Sequence, residues 1–148
     1  MATDGGPGEL MAVADTFADP ALLAADLVAH LECGPTASAV VVTAHEFVAD
    51  AVEAEIESLP TSGGTGAGLI GARAAVVLVD DLEQAVDVVE EYGPQTLAIH
   101  SVYAVSPANR VRNVGEVYAA SFSPAGLGRY GFGATSVLAA GEARLLYA

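Results

Sequence analysis

The chain has 148 residues and a formal net charge of −14, with five basic residues against 19 acidic ones; 53% of it is hydrophobic and only 16% charged. That length fits one domain able to bury a core of ordinary size, and the charge repels nucleic-acid backbones and anionic membrane surfaces. So large an apolar share leaves little polar side chain to coat a small globule, which predicts that part of the surface is an interface and that the chain forms a homodimer or higher homo-oligomer. No apolar run approaches the roughly 20 residues needed to span a bilayer, and the first residues lack the basic and apolar regions of a secretory signal, so a cytoplasmic location is expected. The single cysteine, Cys33, excludes an internal disulfide.

In chain order, Glu9 to Ala14 is a short apolar run and reads as a buried strand. Pro20 to Glu32 reads as a helix, with Pro in the first turn and Cys33-Gly34-Pro35 as its stop. Val40 to Val42 predicts a second strand. His45 to Ser58 has apolar residues at helical spacing, and Thr61 to Gly71 is a flexible Gly-rich connector. A third strand at Val76 to Val79 leads into a third helix, Leu82 to Glu91. Leu97 to Ile99 and Val117 to Ala119 are candidate strands toward the far edge. From Ser121 onward the chain is rich in Gly, Ala and Ser, which predicts loops with at most one short helix. Alternation of strand and helix implies right-handed crossovers and an α/β fold with a mostly parallel sheet. There is no internal repeat and no boundary, so residues 1–148 read as one domain.

Three local patterns invite a chemical reading. Gly66-Ala-Gly-Leu-Ile-Gly71 has the spacing of a dinucleotide fingerprint, but a helix precedes it and a strand follows, the reverse of what places pyrophosphate at a helix N-terminus. His30 and Cys33 stand three apart at a helix end, where both side chains can face one way. They are two soft ligands, short of the three or four that zinc requires, so no cofactor is expected. His45 at a helix start reads as solvated, and His100 at a strand end as locally hydrogen-bonded.

Tyr92-Gly-Pro-Gln-Thr-Leu97 carries a more specific signal. It resembles the Tyr-Gly-Pro-Glu-His-Leu signature of the histidinol dehydrogenase family, and four other segments match that family in order. Asp4 to Asp15 resembles its Gly-Pro-Ser-Glu-plus-strand segment. Asp26 to Pro35 is similar to the helix end that carries Gln-x-x-His, with the strand at Ala39 to Thr43 after it. Val79 to Val86 leads into the signature. Ser123-Pro-Ala-Gly-Leu-Gly-Arg-Tyr130 with Gly133 to Leu138 resembles Ser-Pro-x-x-x-Gly-Asp-Tyr and Gly-Thr-Asn-His-Val-Leu. The resemblance implies an incomplete Rossmann-like three-layer sandwich, corresponding to one domain of an enzyme about three times longer and built as an intertwined homodimer.

The same resemblance implies a site whose residues have changed. The Glu and His of the signature, which act as base and acid, are Gln95 and Thr96 here. An amide and a hydroxyl do not exchange protons near neutral pH as a carboxylate and an imidazole do. The family's zinc and substrate ligands correspond to His30, Cys33 and Arg129, the Ser of Gly-Pro-Ser-Glu to Gly8, and the His of the last motif to Ser136. A guanidinium at Arg129 opposes a metal and suits an acidic ligand. The candidate catalytic residues are therefore His30, Cys33, Gln95 and Thr96, and the candidate substrate contacts Gly8, Arg129, Tyr130 and Ser136. Two functions follow from this set. One is a cofactor-independent enzyme of specialised-metabolite biosynthesis that performs a cyclisation, isomerisation, condensation or elimination on a small acidic molecule; the other is a pseudoenzyme that binds a ligand or a partner protein.

Overall fold

The structure, a computed structural model, describes residues 8–61, 63–101 and 109–119. Its centre is strand β1 (Glu9–Ala14), flanked on one side by β2 (Ser38–Thr43) and on the other by β6 (Thr96–His100). The full sheet runs β5-β2-β1-β6-β7, with β5 at Ala74–Leu78 and β7 at Glu116–Ala119, and every pairing is parallel. Parallel strands need crossovers, and three helices supply them: α1 (Pro20–Leu31), α2 (Glu46–Ser58) and α3 (Leu82–Tyr92).

Side chains alternate across the sheet into two cores. Leu10, Ala12 and Ala14 of β1 pack with Leu23, Leu27 and Leu31 of α1 and Val48, Val52 and Ile56 of α2. Met11 and Val13 face the other way, onto Ala85 and Val89 of α3 together with Val111, Val114 and Val117. Burial on both faces is why the strands read as unbroken apolar runs and not as alternating ones. The three layers are thus two helices, a sheet and one helix, the α/β arrangement expected from the alternation of elements.

Helix limits follow from local chemistry. Asp19 caps α1 by accepting from the amides of Ala21 at 2.9 Å and Leu22 at 3.3 Å, with Pro20 in the first turn. Asp81 caps α3 through the amide of Gln84 at 2.8 Å. Gly93 ends α3 at φ 63°, a left-handed conformation that favours glycine. The last turn of α3 also holds the segment before β7, because Glu90 Oε1 accepts from the amides of Arg112 at 2.6 Å and Asn113 at 3.0 Å.

The connector expected over residues 61–71 contains a minimal antiparallel pair, β3 (Pro60–Thr61) and β4 (Gly64–Thr65). Two-residue strands leave no periodicity to read, so this hairpin has no signature in the sequence. The amide of Gly66 donates to the carbonyl of Leu59 at 2.7 Å. A Cβ at Gly66 would collide with the carbonyl of Ile56, and Leu69 and Ile70 pack on the α1/α2 core. The Gly66 to Gly71 stretch consists of turns before β5 and opens no helix.

Leu27 is 1% exposed and Leu22 52% exposed, on the same helix. Leu27→Ala should therefore cost about 2–5 kcal/mol and Leu22→Ala no more than about 0.5 kcal/mol. Urea unfolding midpoints at unchanged m measure both.

Candidate functional site

The amino-terminal rim of the sheet gathers most of the candidate residues. Gly8 is buried immediately before β1, and its carbonyl accepts from His30 Nε2 at 2.8 Å and from the amide of Ser38 at 3.3 Å. His30 lies in the last turn of α1 and is 8% exposed. A carbonyl oxygen can only accept, so the bond requires the proton on Nε2 and leaves Nδ1 as the nitrogen that changes protonation. Thr96 opens β6 opposite Leu10, two residues beyond Gly8. Gln95 precedes it with its side chain exposed. The Gln95 carbonyl accepts from the amide of Glu116 at 2.9 Å, and a Cβ at Gly115 would stand 2.5 Å from that oxygen. Glycine at 115 is what lets the chain pass close to the start of β6.

Cys33 departs from the pairing that its spacing suggested. Helix α1 stops at Leu31 with Glu32 as its C-cap, so Cys33 lies beyond the last turn. Its thiol is exposed and donates to the carbonyl of Ala29 at 3.4 Å, while His30 turns inward to Gly8. The two side chains are split between surface and interior. Among the described residues no cluster of three or more His, Cys, Asp or Glu side chains could hold a metal ion. With His30 Nε2 bonded to a carbonyl as well, the described donors do not fit a zinc centre. Arg129, Tyr130 and Ser136 lie outside the described residues.

Arg73 belongs to this rim and was missed in the sequence. Its Nη1 donates to the carbonyls of Leu31 at 2.9 Å and Gly34 at 2.7 Å, clasping the turn between His30 and Cys33 from the start of β5. The available signal was a helix end with orphaned carbonyls and no basic residue besides His30 in its last turn. Arg73 also lines a shallow cavity of about 320 Å³ with Glu32, Thr61, Gly68 and Leu69.

At the opposite end of the sheet the other two histidines differ from expectation. His45 is half-buried, its ring 5.8 Å from that of Phe47. His100 is 4% exposed, and its Nε2 has no hydrogen-bond partner among the described residues, where a local bond was expected. Burial pushes the His100 pKa below its ordinary value, outweighing the opposing pull of Asp26 and Asp15.

Comparison with known proteins accounts for this arrangement. A sequence model described as histidinol dehydrogenase matches residues 2–147. The chain belongs to the histidinol dehydrogenase family. It is 38% identical over 145 residues to the histidinol dehydrogenase of Streptomyces avermitilis, covering 93% of this chain and 32% of that protein. With the Mycobacterium bovis histidinol dehydrogenase it shares 40% identity over 139 residues, covering 91% of this chain and 31% of the relative. The crystal structure of histidinol dehydrogenase from Elizabethkingia anophelis superposes with a TM-score of 0.76 at 25% identity, over 95% of this chain and 33% of that one. The chain thus spans about a third of the length of the curated relatives it matches. The Gly93-Pro-Gln-Thr-Leu97 stretch of this chain occupies the turn into β6, where parallel pairing brings it to the rim that holds Gly8 and His30.

Two outcomes test this geometry. His30→Ala leaves the buried Gly8 carbonyl with one bond fewer and should cost about 1–3 kcal/mol, read from thermal or chemical unfolding. His100 titrates lower in the folded chain than in the unfolded one, so the unfolded chain binds the extra proton first and stability falls as pH drops below about 6.5. Unfolding midpoints between pH 7.5 and 5.5, roughly either side of that value, should decline less steeply in His100→Gln than in the wild type.

Proposed function

We propose that this domain is a non-redox descendant of the histidinol dehydrogenase fold, in which the amino-terminal rim binds a small acidic molecule and orients it for a cyclisation, isomerisation, condensation or elimination. The observation that carries the reading is the pair Gln95 and Thr96, at the two positions where the family signature has its Glu and His. The fold around them is retained at 38–40% identity to the enzymes, while an amide and a hydroxyl do not ionise near pH 7 and so are poor general acids and bases. Binding and orientation survive such a replacement. Holding reacting groups together in a productive orientation contributes several kcal/mol to the step between them.

In this reading Arg129 anchors the acidic group of the ligand, with Tyr130 and Ser136 as further contacts, and Gln95 and Thr96 supply neutral hydrogen bonds. His30 moves the proton, through Nδ1, since Nε2 faces the Gly8 carbonyl. Gly8 leaves room where the family has a serine and holds the imidazole in one tautomer. Cys33 is an exposed thiol beyond the helix end and contributes, at most, a contact at the mouth of the rim. Arg73 fixes the turn that carries it. The working form is a homo-oligomer, and its place is in specialised-metabolite synthesis.

A second reading, a binding module without turnover, is favoured by the same bond between His30 and Gly8, which occupies one of the two imidazole nitrogens in a purely structural contact. A thermal-shift screen of the full chain against small carboxylates and inorganic phosphate tests what both readings share. Particular acids should raise the melting temperature of the wild type but not of Arg129→Ala. Histidinol with NAD and zinc should produce no NADH. NADH formation would overturn the non-redox reading, and stabilisation by acids with no turnover in any trial reaction would favour the binding module.

A further inference from the structure

The two edges of the five-stranded sheet are built differently. Strand β7 at one edge carries the exposed side chain of Glu116, a charge of the kind that keeps an edge from pairing with a neighbour. Strand β5 at the other edge reads Ala-Ala-Val-Val-Leu, with no charge, no proline and no glycine. Arg73, the basic residue directly before it, is engaged with the carbonyls of Leu31 and Gly34. Leu78 at the end of the strand is 52% exposed, and Ala75 is exposed as well.

The hydrogen bonds show which groups of β5 face outward. In a parallel ladder alternate residues turn both N–H and C=O toward the same neighbouring strand. The amide of Ala39 donates to the carbonyl of Arg73, and the amide of Val79 to the carbonyl of Thr43, both at 3.0 Å. The odd-numbered residues therefore serve the pairing with β2, and Ala74, Val76 and Leu78 point their amides and carbonyls outward. Ala74 is satisfied locally, its amide donating to the carbonyl of Leu69 at 2.9 Å and its carbonyl accepting from the amide of Gly71 at 2.7 Å. The amides and carbonyls of Val76 and Leu78 bond to no other described residue. Two donors and two acceptors thus line an apolar edge.

We propose that β5 is the contact between two copies of this chain, joined edge to edge in antiparallel register about a two-fold axis at Val77. The proposal gives a definite interface to the homo-oligomer of the proposed function and rests on that part of it. In this register Val76 of each copy lies opposite Leu78 of the other, each such pair exchanges both of its bonds, and no edge donor or acceptor is left over. Neighbouring registers fail. Centring on Val76 would face Leu78 with Ala74, whose groups are already taken, and centring on Leu78 would face Val76 with Asp80, whose amide donates to Gln84 Oε1 at 2.6 Å. Side chains agree with the choice. Val76 packs on the α1/α2 core and Leu78 shares its face, so the exposed side of Leu78 is covered by Val76 of the second copy. The two Val77 side chains meet on the α3 face, at the close, non-hydrogen-bonded position that suits β-branched pairs. Charge selects the antiparallel sense, which brings the Arg73 end of each strand to the Asp80-Asp81 end of the other. A parallel pair would set those carboxylates side by side, between chains that each carry a net charge of −14. An isologous contact closes on itself, so the product is a dimer and not a fibre.

Sedimentation velocity of the full chain over a range of concentrations should show a monomer–dimer equilibrium. Leu78→Lys should raise the dimer dissociation constant about tenfold or more, because it removes an apolar cross-strand pair twice per dimer and puts a charge on the edge. The same substitution makes each copy less negative, so association through any other surface would be unchanged or tighter. Crosslinking reads the register. In a Cys33→Ser background, Val77→Cys places two thiols on facing residues with Cα atoms about 4.5 Å apart, within disulfide range. Mild oxidation should link that variant into a covalent dimer, while Leu78→Cys, whose residue faces Val76, should crosslink far more slowly. This readout does not depend on the lysine variant folding. A monomer at every concentration would overturn the proposal together with the homo-oligomer of the proposed function. A dimer that Leu78→Lys leaves unchanged or tightens, or one in which Val77→Cys crosslinks no faster than Leu78→Cys, would overturn the edge pairing alone. None of these outcomes bears on the Arg129-dependent stabilisation that tests the rim.

Discussion

Strand β1 is hydrogen-bonded along both edges and buried on both faces, and every other element is placed by reference to it. Its residues from Leu10 to Ala14 are 0–4% exposed. A strand in that position has no free side through which the sheet could slip, because a shift of one residue would exchange the partners of both cores. The two ends of β1 are consequently fixed points. Gly8 stands at one, beneath the carboxy-terminal turn of α1; Asp15 stands at the other, its amide donating to the His100 carbonyl at 3.2 Å. The rim at Gly8 and the cavity at Asp15 lie at the two ends of a single strand, separated by six residues of extended chain, roughly 20 Å.

Those two ends differ in chemistry. At the rim the backbone does much of the work: the Gly8 carbonyl orients an imidazole, the Gln95 carbonyl meets the neighbouring strand, and helix-end carbonyls receive Arg73. On the proposed reading, Gln95 and Thr96 supply neutral hydrogen bonds there. At the opposite end a cavity of about 250 Å³ is lined by the side chains of Asp15 and Asp81 over an apolar floor. A fold can hold both because the loops at either end of a parallel sheet vary independently of the strands between them.

Most of the architecture was legible because strong signals coincide in this chain. The β-branched runs at Val40 to Val42 and Val76 to Val79 mark strands, and Pro20 in a first turn marks a helix start. The site was legible only through the resemblance, since nothing in the spacing of Gly8, His30 and Thr96 says that they share a rim; parallel pairing across 86 residues of sequence between Leu10 and Thr96 does that. The spacing of His30 and Cys33 misled, because periodicity assumes that the helix continues and this one stops between them. Arg73 escaped notice because its partners are backbone carbonyls, which leave no mark in a pattern of side chains.

The clasp formed by Arg73 has a consequence for how the domain behaves in changing surroundings. A guanidinium keeps its proton throughout the range in which proteins stay folded, and backbone carbonyls do not titrate at all. The joint between the end of α1 and the start of β5 is therefore indifferent to acidity. At the other end of the same sheet, buried His100 resists a proton until the medium is acidic enough to impose one. Acidification should therefore act on the packing around His100 before it acts on the Arg73 clasp.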